Sequence, residues 1–265
     1  EIVYNRKVIM IIETISAIYE RFLKSSDKQT GAFYTPRFLA ELVLDLALSE
    51  HRSLLGLRFL DPACGSGIFL VGLFNRLAEE WMRAHPGARN DRRARELATL
   101  LRSNIFGIDL NPTACRITAF SLYLAYLDQL SPRDIQELQS KGRALPRLVN
   151  HIDQAGVVPN GGGIWCGDFF HEDAPYPMAM DMIVGNPPWG SIAGEGSAAA
   201  EWLHRRQYAI PDGQIAAAFM WKAAEHAADS GRMCFVLPHG ILFNHSRAAL
   251  SLQNVFLQKY ALDRV

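Results

Sequence analysis

Short apolar runs recur along this chain, each stopping at a polar residue and separated from the next by helical periodicity. This alternation limits the fold more than any other feature. Leu57–Leu60 stops at Asp61, Asn104–Ile108 at Asp109, Gly163–Cys166 near Asp168, and Met182–Gly185 at Asn186; Arg232–Leu237 is a fifth run. Helical spacing marks the segment after Pro36, then Ile68–Trp81, Pro86–Leu101, Pro112–Leu127, Ile215–Ala228 and Ser246–Gln258. Strands alternating with helices imply parallel βαβ units, so the expected fold is α/β, a doubly wound sheet with helices on both faces. Such sheets bind ligands beyond the carboxyl ends of their strands. With the strands side by side, Asp61, Asp109, Asp168 and Asn186 all point into one crevice.

Charge and cysteine usage narrow the function classes. The 265 residues hold 27 Lys plus Arg and 27 Asp plus Glu, a net charge of zero. That excludes a strongly basic nucleic-acid coat but leaves room for a local basic face. Cys64, Cys115, Cys166 and Cys234 form no CxxC pair, so neither a metal site nor a redox motif is indicated. Unpaired cysteines without a signal peptide fit a cytoplasmic location. Apolar runs such as Phe69–Phe74 are too short to span a bilayer, and no membrane partner is expected. Ile2, Ile9, Ile12, Ile15, Tyr19 and Phe22 predict an N-terminal helical segment within residues 1–30, with the main domain over 31–265. The chain starts at Glu1, and Tyr260–Val265 reads as the start of a further strand, so a fragment of a longer protein, truncated at the C-terminus, is expected.

The turn Asp61-Pro62-Ala63-Cys64-Gly65-Ser66-Gly67 joins a strand to a helix. Gly65 and Gly67 permit a tight turn and close backbone approach to a ligand. The turn lacks the third glycine of the dinucleotide fingerprint and the Gly-Lys-Ser/Thr of a phosphate loop. A carboxylate at Asp61 attracts a cation and repels a pyrophosphate. Asp109 at the next strand end can accept both hydroxyls of a ribose. Asp168 can accept from an amino group, and Phe169 can stack on a purine. Taken alone, Asp168 reads as a turn residue; in series with the other two it reads as a ligand.

Asn186-Pro187-Pro188-Trp189 is the most specific segment. An amino group conjugated to a ring is a poor nucleophile because its lone pair is delocalised. Two acceptors, the Asn186 side-chain oxygen and the Pro187 carbonyl, can hold its hydrogens and aim the lone pair. The prolines make the turn rigid, and Trp189 offers a flat surface for a planar substrate. Neither a metal nor a strong base is needed when the electrophile is already activated.

On these residues the chain resembles the S-adenosylmethionine-dependent amino-methyltransferases. More narrowly it resembles the adenine-N6 DNA methyltransferases of type IIG restriction–modification and phage-defence enzymes. Gly31-Ala32-Phe33-Tyr34-Thr35-Pro36 looks like that group's N-terminal motif, Phe59–Gly67 like its cofactor loop, and Asn186–Trp189 like its catalytic tetrapeptide. Trp stands where Tyr or Phe is commoner. The tetrapeptide is shared with enzymes that methylate protein glutamine or RNA base amines, and the Phe-Tyr-Thr-Pro motif favours DNA adenine.

The resemblance implies a Rossmann-like methyltransferase domain over 31–265 with S-adenosylmethionine as cofactor. Phe33, Tyr34, Thr35 and Pro36 would line its methionine end. Asp61 with Ala63, Cys64, Gly65, Ser66 and Gly67 would hold its amino group and backbone. Asp109 would take the ribose, and Asp168 the adenine amine, with Phe169 and Leu110 against the ring. Asn186 and Pro187 would hold the target amine, Pro188 would stiffen the turn, and Trp189 would stack on the base. The implied partner is double-stranded DNA with a flipped adenine. The group's target-recognition region would follow Val265 or come from a partner subunit. A non-catalytic cofactor-binding module is the reading from another class.

Two other features are weighed. Arg83, Arg89, Arg92, Arg93, Arg95 and Arg102 cluster on one helix, where a solvated face outranks a phosphate-binding one. Ser191–Gln214 reads as a long polar loop beside the site, either a lid or clamp with His204, Arg205 and Arg206 placed to touch a DNA backbone or a segment disordered without its partner. Phe219 and Trp221 read as core.

Overall fold

The computed structural model describes residues 35–265, except 142–144, 154–155, 158–160, 193 and 195. The expected N-terminal helix, with Phe33, Tyr34 and the rest of residues 1–34, lies outside the described residues. Among the described residues the strands are β1 (Phe59–Asp61), β2 (Ile105–Asp109), β3 (Val149–Asp153), β4 (Gly156–Val157), β5 (Ile164–Cys166), β6 (Met180–Gly185) and β7 (Ala227–Phe235). The helices are α1 (Arg37–Leu48), α2 (Ile68–Ala84), α3 (Asn90–Ser103), α4 (Pro112–Asp128), α5 (Pro132–Ser140), α6 (Ala198–Arg206), α7 (Ile215–His226), α8 (Gly240–Phe243) and α9 (Arg247–Lys259). The strands form one sheet in the order β4-β3-β5-β2-β1-β6-β7. Each neighbouring pair is parallel except β3 with β4.

Alternation along the strands divides two cores. Phe59, Ile105, Ile164, Met182 and Val184 face one layer with Leu44, Phe74, Leu97 and Leu122 from α1, α2, α3 and α4. Leu60, Ile108, Trp165 and Ile183 face the other, with Trp202, Phe219, Trp221 and Phe256 from α6, α7 and α9. Successive side chains point to opposite faces, and both faces are covered, so the central strands read as unbroken apolar runs. The expected doubly wound α/β fold is what the chain adopts.

Several elements depart from expectation. The stretch 191–214 contains α6, whose Trp202 is 0% exposed. Ser197 caps it by accepting from Ala200 N at 3.3 Å. Arg205 pairs with Glu172 at 2.6 Å, and Arg206 with Glu172 at 3.4 Å and Glu225 at 3.0 Å. These pairs tie α6 to its neighbours while both arginines stay about half exposed. Between Asp109 and Asp168 the chain adds α5, β3 and β4. Strand β3 is hidden in the sequence by Asn150, a fully buried residue whose Nδ2 donates to Gly162 O at 2.6 Å. Strand β7 starts earlier than expected, directly after His226, whose buried ring Nδ1 meets Pro177 O at 2.8 Å. Residues 261–265 form no regular element. Arg93 of the basic helix pairs with buried Asp134 at 3.6 Å.

The glycine run before β5 is a packing feature. A Cβ on Gly163 would stand 1.9 Å from Ile105 O, a backbone atom that cannot move without breaking the β2 edge. Gly163→Ala should lower stability by about 2 kcal/mol or more, read as a lower urea midpoint at unchanged slope.

Candidate active site

Strand β1 is central. The chain passes from β1 to β2 on one side and returns to place β6 on the other, so the order reverses between β1 and β6. A crevice opens at such a reversal beyond the strand ends. In spatial order the tips carry Asp168, Asp109, Asp61 and Asn186, on or just after β5, β2, β1 and β6. The register pairs Asp61 with Gly107, Asp109 with Cys166 and Leu60 with Ile183, so the tips are stepped: Asp109 and Asn186 stand two residues beyond Asp61, and Asp168 two beyond Asp109.

The turn after β1 is tied on three sides. Cys64 N donates to Ile108 O at 3.0 Å, Gly67 N to Cys64 O at 2.7 Å, and Gly65 N to Asp109 Oδ2 at 2.8 Å. Thr118 Oγ1 on α4 donates to Gly65 O at 2.8 Å. Gly65 and Gly67 have φ of 54° and 84°, a region that favours glycine. The Cys64 thiol is buried, which pushes its pKa up, and it serves as packing beneath the turn. Thr118 was not foreseen: a polar residue on a fully buried helix face gives no sequence signal until its partner is known.

Two carboxylates sit under this turn. Asp61 is 1% exposed, and its Oδ1 accepts from Ala63 N at 3.1 Å. A Cβ on Gly185 would stand 2.8 Å from the same oxygen, so β6 closes over it. Burial pushes the Asp61 carboxyl up to about 8, opposed by the Ala63 hydrogen bond and reinforced by Asp109. Burial also raises Asp109, while N–H groups of Asn111 and Gly65, each at 2.8 Å, favour its charged form. The crevice is short of positive charge, and a cationic ligand relieves both groups.

Asn186 lies just beyond the buried end of β6. Its Nδ2 donates to Thr35 Oγ1 at 3.1 Å. Its Oδ1 is buried and has no partner among the described residues. Pro187 is buried, Pro188 and Trp189 are half-buried, and Trp189 Nε1 donates to Val236 O at 3.4 Å. The segment that follows is fastened to the start of α7, with Ile215 N donating to Gly190 O at 2.9 Å.

The other strand tip divides the expected ring contacts. Leu110, 70% exposed, presents a bare apolar side chain beside Asp109. Asp168 Oδ1 accepts from Phe170 N at 2.9 Å, closing a local turn beside the Asp109 tip. Phe169 does not offer a face to a purine. It is 3% exposed and lies among Phe219 at 5.4 Å, His226 at 5.0 Å and Phe170 at 5.8 Å between ring centres. Its side chain turns into the core because the tight turn at Asp168 reverses the chain there. Phe219 and Trp221 are core, as expected.

The raised Asp61 carboxyl has a consequence for stability. Its unfolded value is 3.8 and its folded value about 8, so between them the folded chain keeps a proton that the unfolded chain has released. Its contribution is therefore most favourable below about pH 4 and is lost as pH rises to about 8. Asp61→Asn keeps the acceptor for Ala63 N and removes the titration. The ligand-free variant should gain Tm over wild type, by more at about pH 8.5 than at about pH 5; an equal difference at both pH values would show Asp61 ionised throughout.

Residues 11–264 match the family described as N-6 DNA Methylase. The chain is 31% identical over 123 residues to the adenine-specific methyltransferase PglX of Streptomyces coelicolor, covering 45% of this chain and 10% of that protein. It is 24% identical over 249 residues to the type I restriction enzyme MjaIX methylase subunit of Methanocaldococcus jannaschii, covering 87% of this chain and 33% of that one. The type I restriction–modification methyltransferase subunit from Streptococcus thermophilus superposes with a TM-score of 0.59 at 19% identity, over 94% of this chain and 43% of that chain. The chain thus spans a third or less of the length of these curated relatives. Among the described residues no helix is long and apolar enough to cross a membrane. With the family matched over nearly the whole chain, and with the expected motifs at strand ends around one switch point, this chain belongs to the N-6 DNA methylase family.

Proposed function

We propose that the chain is the catalytic region of a DNA methyltransferase that transfers a methyl group from S-adenosylmethionine to the N6 amine of an adenine turned out of the duplex. The observation that carries the reading is the buried Asn186 Oδ1, unpartnered among the described residues, at the β1/β6 switch point, next to two carboxylates whose proton affinity burial raises. An orphaned buried acceptor is costly unless a donor arrives, and an amine supplies one.

The residues present fit the cofactor. Its net positive charge suits Asp61 and Asp109, which would repel the pyrophosphate of a dinucleotide. Asp109 has lone pairs left for ribose hydroxyls after accepting from Gly65 and Asn111. Asp61 is the partner for the ammonium group, with the backbone of Ala63, Cys64, Gly65, Ser66 and Gly67 alongside. Leu110 takes the adenine ring, and Asp168 its amine. Phe33, Tyr34 and Pro36 belong to the methionine end. When bound, the cofactor supplies a methyl group on a sulfonium, already activated for displacement.

The protein's part is orientation and fixed dipoles. Asn186 Oδ1 and the Pro187 carbonyl accept the two hydrogens of the target amine. This draws the nitrogen lone pair out of conjugation and towards the Asp61–Asp109 side of the crevice. Pro188 holds the turn, and Trp189 supports the base. Neither acceptor is a base that retains a proton, so the surplus proton passes to water. The amine lies inside a base pair in duplex DNA, so the base must leave the stack. A recognition region beyond Val265 or a partner subunit, a cytoplasmic location, and a type IIG or phage-defence setting belong to the same proposal.

Full-length protein incubated with donor and mixed-sequence DNA should produce N6-methyladenine, read by mass spectrometry of digested nucleosides. Methylated protein glutamine or RNA with unmodified DNA would overturn the choice of substrate, and no transfer to any acceptor would mark a binding module. Asn186→Ala should abolish transfer while donor affinity, measured by calorimetry, stays within about threefold. Asp109→Ala should weaken donor binding by about tenfold or more, the loss of a charge-assisted hydrogen bond.

A further inference from the structure

We propose that Thr35 is a positioning residue for the transfer step, fixing the Asn186 amide so that its oxygen faces the target amine. The proposal rests on the function above and assigns Thr35 a part distinct from lining the cofactor. The contact spans 151 positions, with Asn186 Nδ2 donating to Thr35 Oγ1 at 3.1 Å. Thr35 is 7% exposed, so little of it meets solvent.

An asparagine amide has a donor end and an acceptor end of nearly equal shape. Turned end for end, Asn186 would present two hydrogens to an amine that also presents hydrogens, and the substrate would be repelled. A partner on the far side of the amide holds its plane in place. The Thr35 hydroxyl accepts from Nδ2 there, and the opposite oxygen is the one left buried without a partner among the described residues.

The backbone at Thr35 is itself held. The residue before a proline is confined to extended geometry, and Pro36, at φ −57°, starts α1. Helix α1 is fastened to α2 by Arg76, which meets Glu41 at 2.6 Å and Asp45 at 2.7 Å. It is fastened to β7 by Cys234 Sγ, 3.7 Å from Val43 O. The hydroxyl therefore reaches Asn186 from a rigid support.

The test uses full-length protein and DNA that it methylates. Thr35→Val keeps the shape and removes the acceptor, and Thr35→Ser keeps the acceptor. Thr35→Val should lower kcat about 10- to 100-fold, the cost of a misaligned reacting group. Donor Kd should stay within about twofold, and so should the fluorescence of 2-aminopurine placed at the target position. Thr35→Ser should recover most of the rate. If Thr35→Val does not fold, Thr35→Ala carries the same comparison with Thr35→Ser. Weakened donor binding with unchanged kcat overturns the proposal in favour of a cofactor-lining role, and equal impairment of the Ser and Val variants assigns the effect to shape. Wild-type protein that binds donor but methylates no adenine overturns the underlying function, and this role with it.

Discussion

A Cβ at position 185 of β6 would stand 2.8 Å from Oδ1 of Asp61, so glycine there leaves the space that the carboxylate fills. The rest of the site follows from that approach. It seals Asp61 from water, which raises its proton affinity. It also puts Asn186, the next residue along β6, within reach of whatever lies over the turn after β1.

The crevice is electrostatically unfinished. Asp61 and Asp109 are both destabilised as anions, and the hydrogen bonds that reach them come from backbone N–H groups. Such groups orient a carboxylate without neutralising it. On the other side of the switch point Asn186 has the complementary deficit, an acceptor without a donor. A cation on one side and an amine on the other complete the arrangement, and a methyl donor with an amino-bearing base supplies one of each.

The central strands were legible in the sequence because they are buried on both faces, so Phe59-Leu60, Ile105-Phe106 and Met182–Val184 appear as apolar runs with polar ends. Their adjacency was legible through the βαβ rule. Elements whose burial depends on partners far along the chain were not. Asn150 of β3 is polar yet buried, satisfied by Gly162 and Ile164. Helix α6 starts in a glycine- and serine-bearing stretch, and its identity comes from Trp202 meeting Phe170 and Tyr208. At the site, residue types revealed the carboxylates and the tetrapeptide. They did not reveal Thr118 under the turn or the direction of Phe169, since both are decided by packing. Thr35 was legible as part of a motif, but its contact with Asn186 was not.

The two halves of the crevice differ in how much chain separates their defining contacts. Gly65 and Asp109 are 44 positions apart, while Thr35 and Asn186 are 151 apart. Closing the longer loop costs more chain entropy and forms later. On a ribosome the tie between Gly65 and Asp109 can form once β2 has emerged, whereas the aligned amide waits for β6 to return to the first helix. A nascent chain thus ties the turn after β1 well before it aligns Asn186.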